Sequence, residues 1–237
     1  MNKEINTAVV LAAGVGKRMG GDVAKQYMLL GGKPVLWYAL NCFEGAERID
    51  EVILVVGKGE IPYATREFVE KYGFTKVTKV IEGGAERYLS VWEALKTMDR
   101  KAEGFVFIHD GARPFVTHKI IEDTYRAAKA YGGSVAAMPV KDTIKIADEE
   151  GFAKDTPNRK SVWTVQTPQV FERERIVNAY ESMIESLPVL TVKGVQITDD
   201  AMVMETMTGE KVKLVQASYE NIKITTPEDM KIAECLL

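Results

Sequence analysis

Histidine and cysteine are both scarce in this sequence, which has 237 residues and only two of each. Zinc fingers, iron–sulfur clusters and disulfide frameworks need more of these side chains, so the scarcity excludes those classes. Cys42 and Cys235 lie far apart, each within a helical pattern. We predict two reduced thiols, which indicates a cytoplasmic protein.

A strongly basic composition and a long apolar run are missing as well. The chain has 31 Lys and Arg against 34 Asp and Glu, a formal net charge of -3, whereas nucleic-acid-binding domains usually carry a basic face. The apolar run at residues 8–13 ends at Gly14 and is too short for a membrane span or a signal peptide. We therefore expect neither a nucleic acid nor a membrane as a partner. The remaining classes are enzymes and binding proteins that work with Lys, Arg, Asp and the backbone.

Short β-branched runs alternate with helical patterns along most of the chain. Strands are predicted at residues 7–11, 51–56, 78–81, 105–109, 134–139 and 212–215, and helices at residues 35–43, 62–72, 85–98, 119–130, 173–185, 199–207 and from 227 onwards. This order predicts an α/β fold, a Rossmann-like, doubly wound and mostly parallel sheet flanked by helices. No linker-like segment divides the chain, so one domain is predicted for residues 1–237.

Residues 141–163 break this alternation. They contain two short strand patterns, 143–147 and 152–155, joined by an acidic turn that ends at Gly151. An isolated two-stranded hairpin is marginally stable in water. The segment is therefore either a surface loop or an inserted β-hairpin arm that packs against a second copy of the chain, and we favour the dimerisation arm.

The first predicted strand runs into a loop that is rich in small residues. Ala12, Ala13, Gly14 and Gly16 lie at the carboxyl end of that strand, where open α/β sheets bind their ligands. Small residues let backbone N–H groups approach phosphate oxygens. A P-loop would need Gly at position 11, and a dinucleotide fingerprint would need Gly at position 19; neither is present. The pattern predicts a phosphate-binding loop, and the alternative is a plain strand-to-helix turn.

Two cations flank the glycine-rich turn that follows. Arg18 and Lys25 stand on either side of residues 20–22, which favour a flap over a rigid helix. Arginine can fork onto two phosphate oxygens, and lysine supplies a compact charge where negative charge builds up. The two side chains could therefore fold over a triphosphate. The alternative for each is a solvated surface charge.

Asp110 ends the fourth predicted strand, on the same sheet edge as the glycine loop. A carboxylate there suits Mg²⁺, which takes few protein oxygens and completes its shell with phosphates and water; the alternative is a helix N-cap. Arg113, held before a proline, could bind a second phosphate. His109 is interpreted as a packed strand residue.

Three further segments carry weaker signals. Residues 83–87 with Ser90 could read a base through backbone N–H groups, or form an ordinary turn and cap. Residues 164–169 are interpreted as polar side chains around a proline-stiffened turn, and Lys223 precedes the last helix. No acid–base pair is evident. A phosphate monoester is already ionised near neutral pH, so its attack on a nucleotide needs only alignment and charge neutralisation.

Taken together, these motifs resemble the 2-C-methyl-D-erythritol 4-phosphate cytidylyltransferase family. The similarity rests on the glycine loop through Met19, on Lys25-Gln26-Tyr27, and on five later segments in family order, residues 109–114, 140–145, 166–169, 198–201 and 221–225. It covers essentially the whole chain. Ala24 and Ala85 depart from the pattern, since members often carry a proline and a polar residue there.

The resemblance implies a reaction and a set of roles. CTP and the sugar-alcohol phosphate 2-C-methyl-D-erythritol 4-phosphate would give the CDP-alcohol and pyrophosphate, with Mg²⁺ or another divalent cation, in non-mevalonate isoprenoid biosynthesis. It implies catalytic roles for Arg18, Lys25 and Lys223, and a nucleotide site made by Ala12, Ala13, Gly14, Gly16, Gly84 and Ser90. Asp110 would hold the metal and, with Arg113, Thr143, Thr167 and Arg159, contact the acceptor. Arg159 would reach the acceptor from the partner subunit's arm in a homodimer.

Two alternatives remain open from the sequence. Ribitol-5-phosphate cytidylyltransferases are similar in the nucleotide loop and in residues 221–225, but residues 198–201 and Trp163 favour the erythritol enzyme. A non-catalytic nucleotide-binding protein on the same fold is the other alternative, because fold alone does not imply activity. The retained cations argue against it.

Overall fold

A seven-stranded sheet forms the centre of the computed structural model, which describes residues 4–14 and 24–237. In chain order the strands are β1 (Thr7–Ala12), β2 (Leu29–Leu30), β3 (Lys33–Pro34), β4 (Glu51–Val56), β5 (Val77–Glu82), β6 (Phe105–Asp110), β7 (Gly133–Pro139), β8 (Ile146–Ala147), β9 (Ala153–Asp155), β10 (Trp163–Glu172) and β11 (Lys213–Gln216). The central sheet has the order β11-β7-β10-β6-β1-β4-β5. The strands β2 and β3, and likewise β8 and β9, form separate two-stranded pairs.

The central sheet is mostly parallel, which confirms the predicted fold class. Its neighbours pair in parallel except for β10, which runs antiparallel to both β6 and β7. The prediction of a turn at residues 164–169 is wrong, because these residues belong to β10. The strand has an irregular register between Val165 and Gln169 and a cis peptide between Thr167 and Pro168. This proline and its polar neighbours resemble a turn in the sequence.

Helices cover both faces of the sheet. They are α1 (Val35–Gly45), α2 (Ile61–Ala64, continued by a π-helical stretch at Thr65–Glu70), α3 (Arg87–Lys96), α4 (His118–Tyr131), α5 (Arg173–Val192), α6 (Asp200–Thr208) and α7 (Pro227–Leu236). All seven predicted helices are present, although several of their ends differ from the prediction. The helix at 62–72 includes the π-helical stretch, α3 begins two residues later than predicted, and α5 continues to Val192 with Pro188 inside it.

The apolar strands are explained by burial on both sides. Consecutive strand residues point to opposite faces, so Val10 and Leu54 lie in a core with α1 and α4, whereas Val9 and Ile53 lie in a core with α3, α5 and α6. All four side chains are fully buried. Within residues 4–14 and 24–237, no helix combines the length and apolarity needed to cross a membrane.

The segment 141–163 contains the predicted hairpin, with shorter strands than predicted. Strands β8 and β9 pair antiparallel, and every residue of both strands is exposed in the single chain. Ile146 and Phe152 expose 48% and 68% of their surface. The hairpin thus presents apolar side chains outward rather than packing them on its own sheet.

Candidate active site

A cavity of about 540 Å³ opens at the carboxyl ends of β1, β4, β5 and β6. The register aligns these ends, because Leu11 pairs with Asp110 and Ala12 with Val56. Of the described residues that line the cavity, four side chains are cationic and two are acidic: Lys25, Lys58, Arg87 and Lys223 against Glu86 and Asp110. This excess of positive charge favours an anionic ligand.

The structure brings most of the site residues predicted from the sequence to this cavity. Its walls include Ala12, Ala13, Gly14, Lys25, Gly84, Ser90, Asp110 and Lys223. Gly16 and Arg18 lie outside the described residues. Thr143 and Arg159 are exposed on the segment 141–163, where Arg159 Nη1 donates to the Lys141 carbonyl at 2.9 Å. One chain therefore does not place these two at the cavity wall.

Asp110 is the centre of a cluster of cations. Its Oδ2 lies 2.9 Å from Lys223 Nζ, its Oδ1 accepts from Arg87 Nε at 3.1 Å, and Arg113 Nε lies 3.6 Å from Oδ2. Burial raises the pKa of the Asp110 carboxyl, but the charges of Arg87, Lys223 and Arg113 outweigh it and hold the pKa well below its ordinary value. The carboxylate is thus ionised, and it is not an N-cap, since α4 is capped by Thr117.

Thr167 and His109 support Asp110 from inside the sheet. The Thr167 hydroxyl accepts from the Asp110 backbone N–H at 3.0 Å and lies 3.1 Å from His109 Nδ1. His109 Nε2 lies 3.1 Å from the Arg113 carbonyl. Burial lowers the pKa of His109 to about 4, so the neutral ring donates through Nε2 to that carbonyl and accepts from Thr167. His109 is fully buried in β6, as the interpretation of a packed strand residue requires.

Arg113 is held by the segment that carries Lys223. Its Nη1 donates to the Asn221 carbonyl at 2.8 Å. Asn221, fully buried, donates from Nδ2 to Gln166 Oε1 at 3.0 Å and to the Thr167 carbonyl at 2.9 Å. These bonds attach the loop before α7 to β10, and so set the position of Lys223.

Arg87 and Asp200 form an ion pair that the sequence reasoning missed. Arg87 Nη1 and Nη2 donate to Asp200 Oδ1 and Oδ2 at 3.0 and 2.8 Å, while the Tyr180 hydroxyl donates to Oδ1 at 2.6 Å. Asp200 is fully buried. Both residues stand in segments that the sequence singled out, residues 83–87 and 198–201, but nothing in the sequence relates one segment to the other.

The position of Lys25 depends on the two residues after it. Gln26 is buried and donates from Nε2 to the Ala12 carbonyl at 2.6 Å. The Tyr27 hydroxyl donates to Glu60 Oε2 at 2.7 Å, and the same oxygen accepts from the Gly57 N–H at 3.0 Å. These contacts join residues 25–27 to the ends of β1 and β4, with Lys25 at the cavity.

The loop after β5 lies tightly against β1 and α3. A Cβ at Gly83 would meet Ala13 Cβ and Ser90 Oγ, each at 2.6 Å, and a Cβ at Gly84 would meet Leu89 Cβ at 2.5 Å. By contrast, a Cβ at Gly14 would meet no atom of residues 4–14 and 24–237 within 4 Å. Gly83 and Gly84 are therefore required by the protein's own packing, whereas no described atom fills the space beside Gly14.

The side chains at this cavity fit a metal ion only if the ion arrives together with the ligand. Within the described parts of the chain, no group of three His, Cys, Asp or Glu side chains could hold a metal. Asp110 offers one ionised carboxylate, already paired with Arg87, Arg113 and Lys223. Mg²⁺ commonly binds one or two carboxylates plus substrate phosphates, so the residues fit an ion that arrives with a nucleotide.

Comparison with known proteins identifies the family. The model of the family "IspD: 2-C-methyl-D-erythritol 4-phosphate cytidylyltransferase" matches residues 6–237. A 2-C-methyl-D-erythritol 4-phosphate cytidylyltransferase of Lachnospira eligens is 49% identical over 233 residues, covering 98% of this chain and 99% of that protein. One from Caldanaerobacter subterraneus is 45% identical over 231 residues, covering 98% of each.

A solved structure agrees with these relatives. The crystal structure of a 4-diphosphocytidyl-2C-methyl-D-erythritol synthase from Anaerococcus prevotii has a TM-score of 0.83 and 34% identity, and covers 98% of this chain and 96% of that one. Sequence and fold are therefore similar along the same full length, including the strands that line the cavity. The chain belongs to the 2-C-methyl-D-erythritol 4-phosphate cytidylyltransferase family.

Proposed function

We propose that the protein joins CTP and 2-C-methyl-D-erythritol 4-phosphate to give the CDP-alcohol and pyrophosphate, a step of isoprenoid biosynthesis. An oxygen of the acceptor's phosphate attacks the α-phosphorus of CTP. The new P–O bond replaces the bond between the α-phosphorus and the bridging oxygen, and pyrophosphate leaves with that oxygen. Atoms and charge balance without an oxidant or a general base, because the attacking phosphate is already ionised near neutral pH.

The observation that carries this proposal is the convergence of Lys223 and Asp110 on one cavity in a chain of this family. Lys25 lines the same cavity. Ammonium groups at this position can neutralise the charge that develops on the phosphoryl oxygens, which is the main demand of phosphoryl transfer. We assign Lys25, Lys223 and Arg18 to transition-state stabilisation.

The nucleotide is proposed to bind along the loops that follow β1 and β5 at the carboxyl edge of the sheet. The open space beside Gly14 and the small side chains of Ala12 and Ala13 allow a phosphate to approach the backbone, and Gly16 continues this loop. Gly84 and Ser90 would line the cytidine end. Ser90 is buried, and its hydroxyl donates to the carbonyls of Gly84 and Glu86 at 3.3 and 3.1 Å, which stabilises that loop.

Mg²⁺ is proposed to enter as the CTP complex. Asp110 would hold it with one carboxylate oxygen, while the phosphates and water supply the other ligands. When bound, the ion neutralises phosphate charge and orients the α-phosphate. Asp110 itself orients Lys223 through their ion pair. Other divalent cations of similar size are expected to substitute in part.

The acceptor is proposed to be shared between two subunits. Arg113 and Thr167 lie beside Asp110, whereas Thr143 and Arg159 lie on the exposed segment 141–163. The exposed Phe152 and Ile146 support the interpretation of this segment as a dimerisation arm, because a second copy would bury them. In that homodimer, Arg159 and Thr143 of one chain would contact the acceptor in the other. A cytoplasmic location stays a prediction from the sequence.

The test is an assay of pyrophosphate release. The purified protein is incubated with CTP, Mg²⁺ and either 2-C-methyl-D-erythritol 4-phosphate or ribitol 5-phosphate. We expect release with the erythritol acceptor and little with the ribitol one. Activity with ribitol 5-phosphate alone would overturn the assignment of the acceptor. Tight CTP binding with no turnover on either acceptor would instead support a non-catalytic protein.

A further inference from the structure

Arg87, at the cavity wall, connects the cavity to the fully buried carboxylate of Asp200. Both of its Nη atoms bind Asp200, at 3.0 and 2.8 Å, and only its Nε is directed to Asp110, at 3.1 Å. A bidentate pair fixes the plane of a guanidinium as well as its distance. The orientation of the Nε–H toward Asp110 is therefore determined by Asp200.

Asp200 is itself held from several sides. It is fully buried at the first position of α6, where the N-terminus of the helix favours a negative charge. The Tyr180 hydroxyl on α5 donates to its Oδ1 at 2.6 Å. A buried carboxylate needs a cation and hydrogen bonds to offset its desolvation, and Arg87 and Tyr180 supply them.

By restraining Arg87, Asp200 also restrains two parts of the cavity wall. Arg87 is the first residue of α3 and follows the loop 83–86, which lines the cavity. Through its Nε it restrains Asp110, whose other oxygen pairs with Lys223 at 2.9 Å. A chain of charge pairs thus runs from the buried end of α6 to the ammonium at the cavity.

We infer that Asp200, supported by Tyr180, is a positioning residue that acts through Arg87 to orient Asp110 and Lys223 for the transfer. The inference rests on the proposed function, in which Lys223 stabilises the transition state. Mutation of residues that orient metal ligands typically lowers activity about 10–100-fold, and we expect an effect of this order for Asp200, which orients charged side chains in the same way. Loss of a merely structural ion pair would change only the stability of the protein. Loss of Asp200 should also lower the turnover of the folded enzyme.

Four variants separate these roles. Asp200→Asn removes the charge and one acceptor, Tyr180→Phe removes only the hydroxyl, and Arg87→Ala opens a space that a small cation can enter. If Arg87→Ala alone fails to fold, the double variant Arg87→Ala with Asp200→Asn replaces it, because the double variant leaves no unpaired buried carboxylate. Arg175→Ala is the matched control, since Arg175 also pairs with two carboxylates but is exposed on α5.

The expected kinetic results follow from the geometry. In folded protein, Asp200→Asn should lower kcat about 10-fold or more, with a smaller change in KM for CTP, and Tyr180→Phe should have a weaker effect. Guanidinium should restore activity to Arg87→Ala, whereas ethylammonium, which cannot fork onto Asp200, should not. Rescue should be absent from the double variant, and Arg175→Ala should behave as wild type with or without guanidinium.

Three results would overturn the inference, two of them kinetic. One is wild-type kcat and KM in Asp200→Asn below its melting temperature, whatever its loss of stability. The other is equal rescue of the single and double variants by guanidinium. The ¹⁵Nε–¹Hε resonance of Arg87, assigned by its loss in Arg87→Lys, gives a readout without turnover. It should shift and exchange faster in Asp200→Asn, and an unchanged resonance would also overturn the inference. Inactive wild type on both acceptors would instead overturn the proposed function, and the resonance would still test the positioning.

Discussion

Lys223 Nζ lies 2.9 Å from Asp110 Oδ2, although the two residues come from distant parts of the chain. Asp110 ends β6, and Lys223 lies in the loop before α7, which Asn221 attaches to β10. The Lys223 side chain is one-third exposed at the cavity, whereas the Asp110 side chain is nearly buried. The pair therefore presents a cation to the ligand and keeps its counter-charge inside.

Replacing Lys223 by alanine should lower kcat by about 100-fold or more, because it removes a charge that stabilises the developing oxyanion. Steady-state pyrophosphate release with CTP and 2-C-methyl-D-erythritol 4-phosphate measures the effect. Lys231→Ala is the matched control, since Lys231 is exposed on α7. An unchanged kcat in Lys223→Ala would remove Lys223 from the chemistry.

His109 should make the protein less stable as the pH falls. Burial lowers its pKa to about 4 in the folded chain, whereas an unfolded chain titrates near 6.5. Between these values the unfolded state binds more protons, so the free energy of unfolding decreases as the pH falls from 6.5 towards 4. At about 1.36 kcal/mol per pKa unit, the loss is roughly 3 kcal/mol.

Urea unfolding from pH 7 to pH 4 measures this dependence. His109→Gln should lose roughly that part of the pH dependence, and His118→Gln should keep it, because His118 is exposed and is the only other histidine in the sequence. Equal pH dependence in wild type and His109→Gln would contradict the assignment.

Two glycine substitutions should distinguish a glycine that packing within the protein requires from one that nucleotide binding requires. A methyl group at Gly83 would meet Ala13 and Ser90 at 2.6 Å, so Gly83→Ala should lower the melting temperature. A methyl group at Gly14 meets no atom in the part of the chain that the structure describes. Gly14→Ala should therefore keep the melting temperature and raise KM for CTP. A Gly14→Ala variant with wild-type KM would exclude close approach of the nucleotide to this backbone.

Mixing two inactive variants should restore activity if the arm completes the partner's site. In a heterodimer of Arg159→Ala and Lys25→Ala chains, one of the two sites keeps Lys25 and receives an intact Arg159. Such a heterodimer should have about half of wild-type activity. Tandem affinity tags isolate it for the pyrophosphate assay. No recovery in confirmed heterodimers would place Arg159 in the site of its own chain.

The sequence predicted the sheet well wherever strands are apolar on both faces, and it failed at β10. Gln166, Thr167 and Gln169 are polar yet buried. Their partners, Asn221, His109 and Asp199, lie at remote positions in the sequence. A polar run with a proline looks like a turn until those partners are known.

The position of the candidate site could be predicted from the sequence, but the role of the arm could not. Asp110 ends β6 and Gly84 follows β5, and the carboxyl ends of these strands share one sheet edge, so their approach is a consequence of parallel topology. The arm's role is different. A hairpin is visible in the sequence, but its apolar side chains Ile146 and Phe152 are exposed in the single chain, and its function stays a prediction.

The sequence by itself determined the α/β alternation, the scarcity of histidine and cysteine, and the loops that carry the site, because these depend on local periodicity and residue chemistry. Only the tertiary structure decided which charges meet. Asp110 has Arg87, Arg113 and Lys223 around it, and Arg87 is committed to Asp200. Ion pairs of this kind depend on distances between remote segments and on burial, because burial sets the strength of the interaction between the two charges. Neither quantity can be read from the order of residues.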